Sequence, residues 1–199
     1  MNKRDKKIIG ITGGVGAGKS SVLDILKNEF HAKIILADLV AHSLMEPGEE
    51  GLKRVTEALG TGFLDADGQV DRKALAELIF HDEAARTTMN GIIHPMVWET
   101  ISREALQSPE RLIVIEAAVF DTAPDGLFDE IWYIYTTEEN RIARLMKSRG
   151  YTREKCESIM KRQDSEAEYR KRCSRVIDNN GGTDKTAEQL KEILGHETC

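Results

Sequence analysis

The sequence predicts an α/β fold built on a five-stranded, mostly parallel sheet with helices on both faces. Short apolar runs of strand length alternate with longer segments whose apolar residues recur at helical spacing. This alternation is typical of parallel sheets, whose strands are joined by helical crossovers. The first apolar run, Ile8–Ile11, leads directly into a glycine-rich stretch and then a helical pattern, so a loop with an unusual backbone joins the first strand to the first helix.

The five strands are predicted at about 8–11, 32–36, 112–115, 130–135 and 175–178. Asp71 is predicted to cap a helix that runs to Phe80. His94–Pro95 is expected to interrupt the next helical pattern, because proline lacks the backbone N–H that a helix interior needs. The helices other than the one capped by Asp71 are predicted at about 19–30, 39–46, 51–59, 82–92, 97–106, 136–147, 152–163 and 186–194.

One long stretch of the chain is richer in helix than a simple crossover requires. Residues 38–107 carry several helical patterns and no clear strand. We therefore predict one domain whose core comprises about 1–37, 108–140 and 175–199, with a helical substrate-binding lobe at about 38–107 and a basic helical lid at about 141–174.

The glycine-rich stretch matches the pattern G-x-x-x-x-G-K-[ST], with a strand before it and a helix after it. Glycine lets the backbone wrap closely around a polyphosphate, and the start of the following helix directs N–H groups and a positive dipole at the anion. Lys19 is expected to reach the β- and γ-phosphates, and the Ser20 hydroxyl to take a place on Mg²⁺. The motif predicts binding of a nucleoside triphosphate, with these cofactor-binding residues: Gly13, Gly14, Val15, Gly16, Ala17, Gly18, Lys19, Ser20 and Ser21.

Acidic residues follow two of the other predicted strands. Asp38 comes just after the second strand, where ligands meet the carboxyl edge of a parallel sheet, so it is a candidate general base or metal-linked acid. The alternative is that Asp38 caps the next helix, and its position favours neither. Glu116 ends the third strand and is the candidate acid for Mg²⁺.

Charge and composition exclude several classes of protein. The net charge of −6 disfavours a nucleic-acid binder, whereas residues 141–175 hold twelve basic and five acidic side chains, a local excess that suits a small polyanion. The alternative is an ordinary solvated helical face.

No apolar run approaches the ~20 residues needed to cross a membrane, and the basic start is not followed by a signal-peptide core. Three scattered cysteines indicate reduced thiols in a cytoplasmic protein, expected to be a monomer or weak homo-oligomer.

At this point the chain, over about residues 7–195, resembles the dephospho-CoA kinase family, within the adenylate-kinase-like group of small P-loop kinases. The resemblance rests on segments that occur in the order and at the spacing of the family. These are Ile11–Ser20, Ala37–Asp38, Pro47–Gly48, Asp67–Arg72, Asn90–Pro95, Arg144–Leu145, Gln163 and Val176–Gly181.

The resemblance implies ATP-dependent phosphorylation of the ribose 3′-hydroxyl of dephospho-CoA, the last step of coenzyme A synthesis, with Mg²⁺ and without nucleic-acid or membrane partners. By position, Asp38 becomes the base near that hydroxyl, acting with Lys19 and Arg144 as catalytic residues. His94, Arg141 and Arg149 are implied to bind substrate, and Asn179 to lie by the adenine.

The chain departs from the family pattern at two places. After the third strand, Glu116–Asp121 runs one residue short, which leaves open whether Glu116 or Asp121 plays the acidic role there. In the lid, Ser148, Ile159 and Cys173–Ser174 stand where the family often has other residues, so individual lid assignments stay open.

Two other functions remain as alternatives. The first is a kinase for another nucleotide-like acceptor, which the lobe at 38–107 would select. The second is a nucleotide-dependent switch. Asp65–Gly68 matches D-x-x-G, but this match lies in the helical lobe and no N-K-x-D guanine signature occurs.

Overall fold

The computed structural model describes residues 6–195, and within them it confirms the predicted α/β fold. The strands are β1 (Lys7–Thr12), β2 (Lys33–Leu36), β3 (Leu112–Glu116), β4 (Glu130–Tyr135) and β5 (Arg175–Asp178). The helices are α1 (Lys19–Phe30), α2 (Ala37–Leu44), α3 (Glu50–Leu59), α4 (Arg72–His81), α5 (Glu83–Gln107), α6 (Glu138–Arg149), α7 (Arg153–Met160), α8 (Glu166–Arg172) and α9 (Thr183–Gly195).

The five strands form one sheet in the order β2-β3-β1-β4-β5. The pairs β1–β3, β1–β4 and β4–β5 are parallel, so their carboxyl ends lie at one edge. Consecutive residues of β1, Ile8 and Ile9, are both fully buried, as are Ile113, Val114 and Ile115 of β3. Since neighbouring side chains on a strand point to opposite faces, both faces of the central strands are covered.

The chain divides into two compact units. One holds the sheet with α1 and α6–α9, and is formed by the segment ending at Ile35, by Ser108–Val119 and by the segment beginning at Gly126. The other holds α2–α5 and is formed by Leu36–Gln107 with Phe120–Asp125. In this helical unit, α5 packs against α2, α3 and α4.

The predicted break at His94–Pro95 is wrong, because α5 continues through it as a single helix of 25 residues. An interior proline costs a helix roughly 3 kcal/mol. On both sides of Pro95, α5 buries apolar side chains, including Ala85, Ile93 and Trp98. Burying each large apolar side chain contributes about 1.5–3 kcal/mol, so packing of this face offsets the proline.

The segment after α6 also differs from the sequence prediction. The helix predicted at 152–163 ends earlier, at Met160, which leaves Gln163 in a turn. A further helix, α8, was not predicted, although Ser165 and Glu168 form a capping box at its start. Asp71 does cap α4 as predicted, and accepts hydrogen bonds from the N–H groups of Lys73 and Ala74.

Candidate active site

The phosphate loop joins the end of β1 to the start of α1. Gly18 is the N-cap of α1 and has a left-handed φ of 83°, a conformation that side-chain-bearing residues rarely adopt. Because the N-cap residue is glycine, no side chain at that position accepts a hydrogen bond from the first N–H groups of α1. The loop therefore presents backbone donors and the positive end of the α1 dipole to an anion.

Lys19 lies beside the acid that ends β3. Its Nζ donates to the Gly13 carbonyl at 2.7 Å and is 3.5 Å from Glu116 Oε1. The register of the parallel pair sets Ile11 opposite Glu116, which explains why a β3 carboxylate meets the loop that follows β1. The structure thus brings together two of the residues that the sequence singled out.

Two arginines of α6 reach the phosphate loop. Arg141 Nε donates to the Val15 carbonyl at 2.8 Å, and Arg144 Nη1 donates to the Ala17 carbonyl at 3.0 Å. Arg149, at the end of the same helix, lies instead against the Tyr151 ring, 5.9 Å from its centroid. The contacts of these side chains therefore join Arg141 and Arg144 to the loop and do not join Arg149 to it.

Asn179 supports the loop from the end of β5. This residue is buried; its Nδ2 donates to the Ala17 carbonyl at 2.8 Å, and its Oδ1 accepts from the Thr186 hydroxyl at 2.9 Å. Arg144 Nη2 donates to the Asn179 carbonyl at 2.6 Å. Because both ends of its carboxamide are used, Asn179 fixes the backbone at Ala17, while contact with adenine stays a prediction.

Two residues at this site were missed by sequence reasoning as functional side chains. Thr136 is buried and donates to the Ala17 carbonyl at 2.9 Å. The sequence feature that could have identified Thr136 is its position directly after β4, at the carboxyl edge of the sheet. Gln163 was noted only as a mark of the family resemblance, yet its Oε1 accepts from the Val15 N–H at 3.1 Å. Only the turn after α7 brings it there.

Asp38 belongs to the helical unit and lies in the first turn of α2. The N-cap of this helix is Leu36, so the alternative role of Asp38 as the cap is wrong. Asp38 lines a cavity of about 390 Å³ within this unit, a size suited to a small-molecule site. Its lining combines apolar side chains with a few polar ones: Asp38, Ala41, His42, Met45, Glu46, Pro47, Gln69, Val70, Arg72, Leu75, Ala76, Ile79, Met89 and Ile93.

His94 lies in α5, in the helical unit. It is not among the residues that line the cavity. Its Nδ1 lies 3.5 Å from the Thr122 hydroxyl, which accepts from Trp98 Nε1 at 3.0 Å. His94 therefore forms part of a polar contact between α5 and the 120–125 segment, and its substrate role stays a prediction.

Residues 6–195 do not contain a metal site made entirely of protein side chains. No group of three or more His, Cys, Asp or Glu residues there is suited to holding a metal ion. Mg²⁺ in phosphoryl-transfer enzymes needs less, since one or two protein oxygens with phosphate oxygens and waters complete its shell. The Ser20 hydroxyl and the Glu116 carboxylate are oxygen donors of that kind, so the residues present fit the ion.

Between residues 6 and 195, no helix is both long and apolar enough to span a bilayer.

Comparison with known proteins identifies the relatives of this chain. The family model described as dephospho-CoA kinase matches residues 7–185. A dephospho-CoA kinase of Moorella thermoacetica is 36% identical over 92% of this chain and 89% of its own length, and one of Carboxydothermus hydrogenoformans is 35% identical over 94% and 92%.

Solved structures agree with the sequence matches. A crystal structure of a Thermus thermophilus protein aligns with a TM-score of 0.78 and 29% identity, over 96% of this chain and 97% of that one. A Campylobacter jejuni dephospho-CoA kinase shares the fold, with a TM-score of 0.69 and 20% identity over 96% and 99%. Because the family model and relatives more than 30% identical cover most of its length, the chain belongs to the dephospho-CoA kinase family of P-loop phosphotransferases.

Proposed function

We propose that this kinase transfers the γ-phosphoryl group of ATP to the ribose 3′-hydroxyl of dephospho-CoA, giving coenzyme A and ADP. The observation that carries the proposal is the phosphate loop with Lys19 beside Glu116, in a chain that matches this family over residues 7–185. In the reaction a bond forms between the 3′-oxygen and the γ-phosphorus, and the bond from that phosphorus to the β–γ bridging oxygen breaks. The hydroxyl proton must leave the 3′-oxygen, so the site needs a base.

Asp38 is proposed as that base. An exposed carboxylate in the first turn of α2 lines the cavity of the helical unit, so it has access to a bound acceptor. A general base contributes about 10²–10⁴-fold, mostly in the transition state. Lys19 and Arg144, in the sheet unit, are proposed to balance charge on the transferred group, together with the loop N–H groups.

Ser20 and Glu116 are proposed to hold Mg²⁺ when ATP is bound. When bound there, the ion would neutralise negative charge on the phosphate oxygens. Glu116 is preferred to Asp121 because Glu116 lies 3.5 Å from Lys19 Nζ in the sheet unit, whereas Asp121 belongs to the helical unit.

The cavity is proposed to bind part of the acceptor. It is lined by Arg72 and His42, which suit anionic groups, together with apolar side chains such as Leu75 and Met89. Dephospho-CoA carries a diphosphate and a long, largely uncharged arm, so both the polar and the apolar surface can contact it.

The protein is further proposed to act in the cytoplasm as a monomer or weak homo-oligomer, without nucleic acid. Cys156 and Cys173 are both free thiols, which suit such a reducing compartment.

An ADP-release assay over a panel of acceptors tests the function. We expect Mg²⁺-dependent turnover with dephospho-CoA, and much slower release with water alone or with adenosine, AMP and pantetheine phosphate. Faster turnover with another acceptor would favour the alternative kinase. ADP release that no acceptor accelerates would favour the nucleotide switch.

Asp38→Asn tests the proposed base. We expect turnover to fall about 10²–10⁴-fold, while calorimetry shows ATP affinity within a few-fold of the original, because a base acts on the acceptor and not on ATP binding. Asp24→Asn, which removes one exposed carboxylate from α1, is the charge-matched control and should retain activity. Near-normal turnover of Asp38→Asn would remove the base role.

A further inference from the structure

The guanidinium of Arg141 lies against Gly14 of the phosphate loop. A β-carbon built on Gly14 would overlap Arg141 Nη2 and come within 2.9 Å of Nη1, closer than real β-carbons approach other atoms. Gly14 is not among the glycines with a positive φ, so its backbone is open to alanine. An alanine at this position would therefore displace the guanidinium from where it lies.

Gln163 holds this guanidinium in place. Its Oε1 accepts from Arg141 Nη2 at 2.6 Å and from the Val15 N–H at 3.1 Å. Arg141 Nε donates back to the Val15 carbonyl at 2.8 Å, which closes a ring of three residues. The Val15 side chain packs on the apolar cluster of Ile142, Leu145 and Cys156, so the ring is seated on α6 and α7.

A glutamine at this position orients the arginine without cancelling its charge. Its carboxamide oxygen is a neutral acceptor, whereas a carboxylate would form an ion pair with the guanidinium. Arg141 Nη1 has no hydrogen-bond partner among the described residues. A full positive charge and at least one donor therefore remain available at the phosphate loop, where a nucleotide brings negative charge.

We propose that Gln163 is a positioning residue that keeps Arg141 over Gly14, ready to bind the terminal phosphate oxygens of the nucleotide. Gln163 acts through Arg141 and does not touch the phosphates. Its neutrality is part of its role, because it leaves the charge of Arg141 to the ligand. The inference rests on the proposed kinase function for its kinetic readout, while its binding readout needs only ATP.

Four single variants and one double variant test the proposal. Gln163→Met keeps the length of the side chain and removes the acceptor. Gln163→Glu keeps the acceptor and adds a charge. Gly14→Ala displaces the guanidinium without altering either partner, and Arg141→Met removes it.

Gln189→Met is the matched control, since Gln189 Oε1 also accepts a hydrogen bond from a backbone N–H, that of Asp178 at 3.0 Å. Gly62→Ala controls for the added methyl, because a β-carbon there meets nothing within 4 Å.

The measurements are ATP affinity by calorimetry, kcat and KM for ATP, and thermal unfolding. We expect Gln163→Met and Gly14→Ala each to lower kcat/KM for ATP by roughly 10- to 100-fold, the size of a lost hydrogen bond to a charged group. Gln163→Glu should fold at least as stably as the original and still bind ATP more weakly, which a purely structural glutamine would not do. Both controls should stay within about twofold of the original, as surface changes usually do.

The double variant decides whether Gln163 acts through Arg141. If it does, Gln163→Met added to Arg141→Met causes little further loss, because the group it positions is already gone. Multiplying losses, or unchanged ATP affinity and kinetics in both Gln163→Glu and Gly14→Ala, would overturn the proposal. Absence of dephospho-CoA turnover in the original protein would instead count against the proposed function, and the ATP affinities would still judge the role of Gln163.

Discussion

Two groups of cations, one at each end of the sheet, have different kinds of hydrogen-bond partner. At the amino end, Glu130 of β4 accepts from Lys7 Nζ at 3.0 Å and from Arg175 Nε at 2.9 Å, so cations at the starts of β1 and β5 are paired with one carboxylate. At the carboxyl end, Arg141 and Arg144 donate mainly to neutral oxygens of the loop, Gln163 and Asn179. At the amino end Glu130 neutralises Lys7 and Arg175, whereas at the carboxyl end Arg141 and Arg144 keep their positive charge for a ligand.

The pKa of Glu130 shows how strongly the amino end is paired. Burial alone would raise its pKa, but hydrogen bonds from Arg175, Trp132 and Lys7 lower it from 4.5 to about 2. From this difference we infer that the Lys7–Glu130–Arg175 cluster has a structural role, while Arg141 and Arg144, which bond to neutral oxygens, are left to bind a ligand.

The largest expected effect at the carboxyl end is that of Lys19→Met. Turnover should fall on the order of 10²–10³-fold, because the variant loses a cation that stabilises the transferred group. The midpoint of thermal unfolding should change little, since the Lys19 side chain is partly exposed, donates to one backbone carbonyl, that of Gly13, and lies 3.5 Å from Glu116. Steady-state kinetics and calorimetric scans measure the two quantities.

Lys27→Met, at an exposed position in the last turn of α1, is the control for charge and helix propensity. It should retain activity. A Lys19→Met enzyme that unfolds many degrees lower would show that this end also depends on its charges for stability, and the contrast between the ends would fail.

Glu116→Gln should have the next largest effect on activity. It removes the proposed anionic oxygen for Mg²⁺ and leaves the shape of the side chain, so we expect a loss of about 10- to 100-fold and a higher Mg²⁺ concentration for half-maximal rate. Asp121→Asn is the direct comparison. A larger loss in Asp121→Asn than in Glu116→Gln would assign the strand-three role to Asp121.

Glu130→Gln should change stability and leave turnover unaltered. We expect a decrease of about 1–2 kcal/mol in the free energy of unfolding at pH 7, a figure reduced from the full pKa shift because the pair is partly solvated. Since the pKa is lower in the folded state, this stabilisation is complete above about pH 4.5 and declines as the pH falls toward 2. Urea unfolding at pH 7, 5 and 3 should show the difference from the original protein shrinking.

Glu139→Gln is the control for the amino end. Glu139 pairs with Arg153 at 2.7 Å on the surface, where both side chains are exposed, so its loss should change stability little. Equal effects of the two substitutions at pH 7, or a Glu130→Gln difference that does not vary with pH, would contradict the role assigned to the amino-end cluster.

The sheet was predictable because its signals are local. The apolar runs that predicted the five strands coincide closely with β1–β5, since strands buried on both faces must be almost wholly apolar. The helical unit was harder to predict. Pro95 signals a break, and only the packing of α5 against three other helices explains why none occurs.

The candidate site, too, has parts that the sequence predicted and parts that it did not. The phosphate loop and Glu116 were predictable, because the loop has a strict residue pattern and β3 ends at a visible acid. The partners of the loop were not, since Thr136, Gln163 and Asn179 are more than a hundred residues away along the chain. Hydrogen bonds between such distant residues leave no periodicity for a sequence to display.

The sequence by itself determined the α/β class, the phosphate loop with Lys19, and the acids at the ends of two strands, because each depends on a few neighbouring residues and their backbone conformations. Only the tertiary structure decided that α5 continues through Pro95, that the N-cap position of α2 is Leu36 and not Asp38, and that Gln163 contacts Arg141 next to Gly14. These outcomes depend on which distant segments pack together, and packing free energy outweighs local preference wherever enough apolar surface is buried.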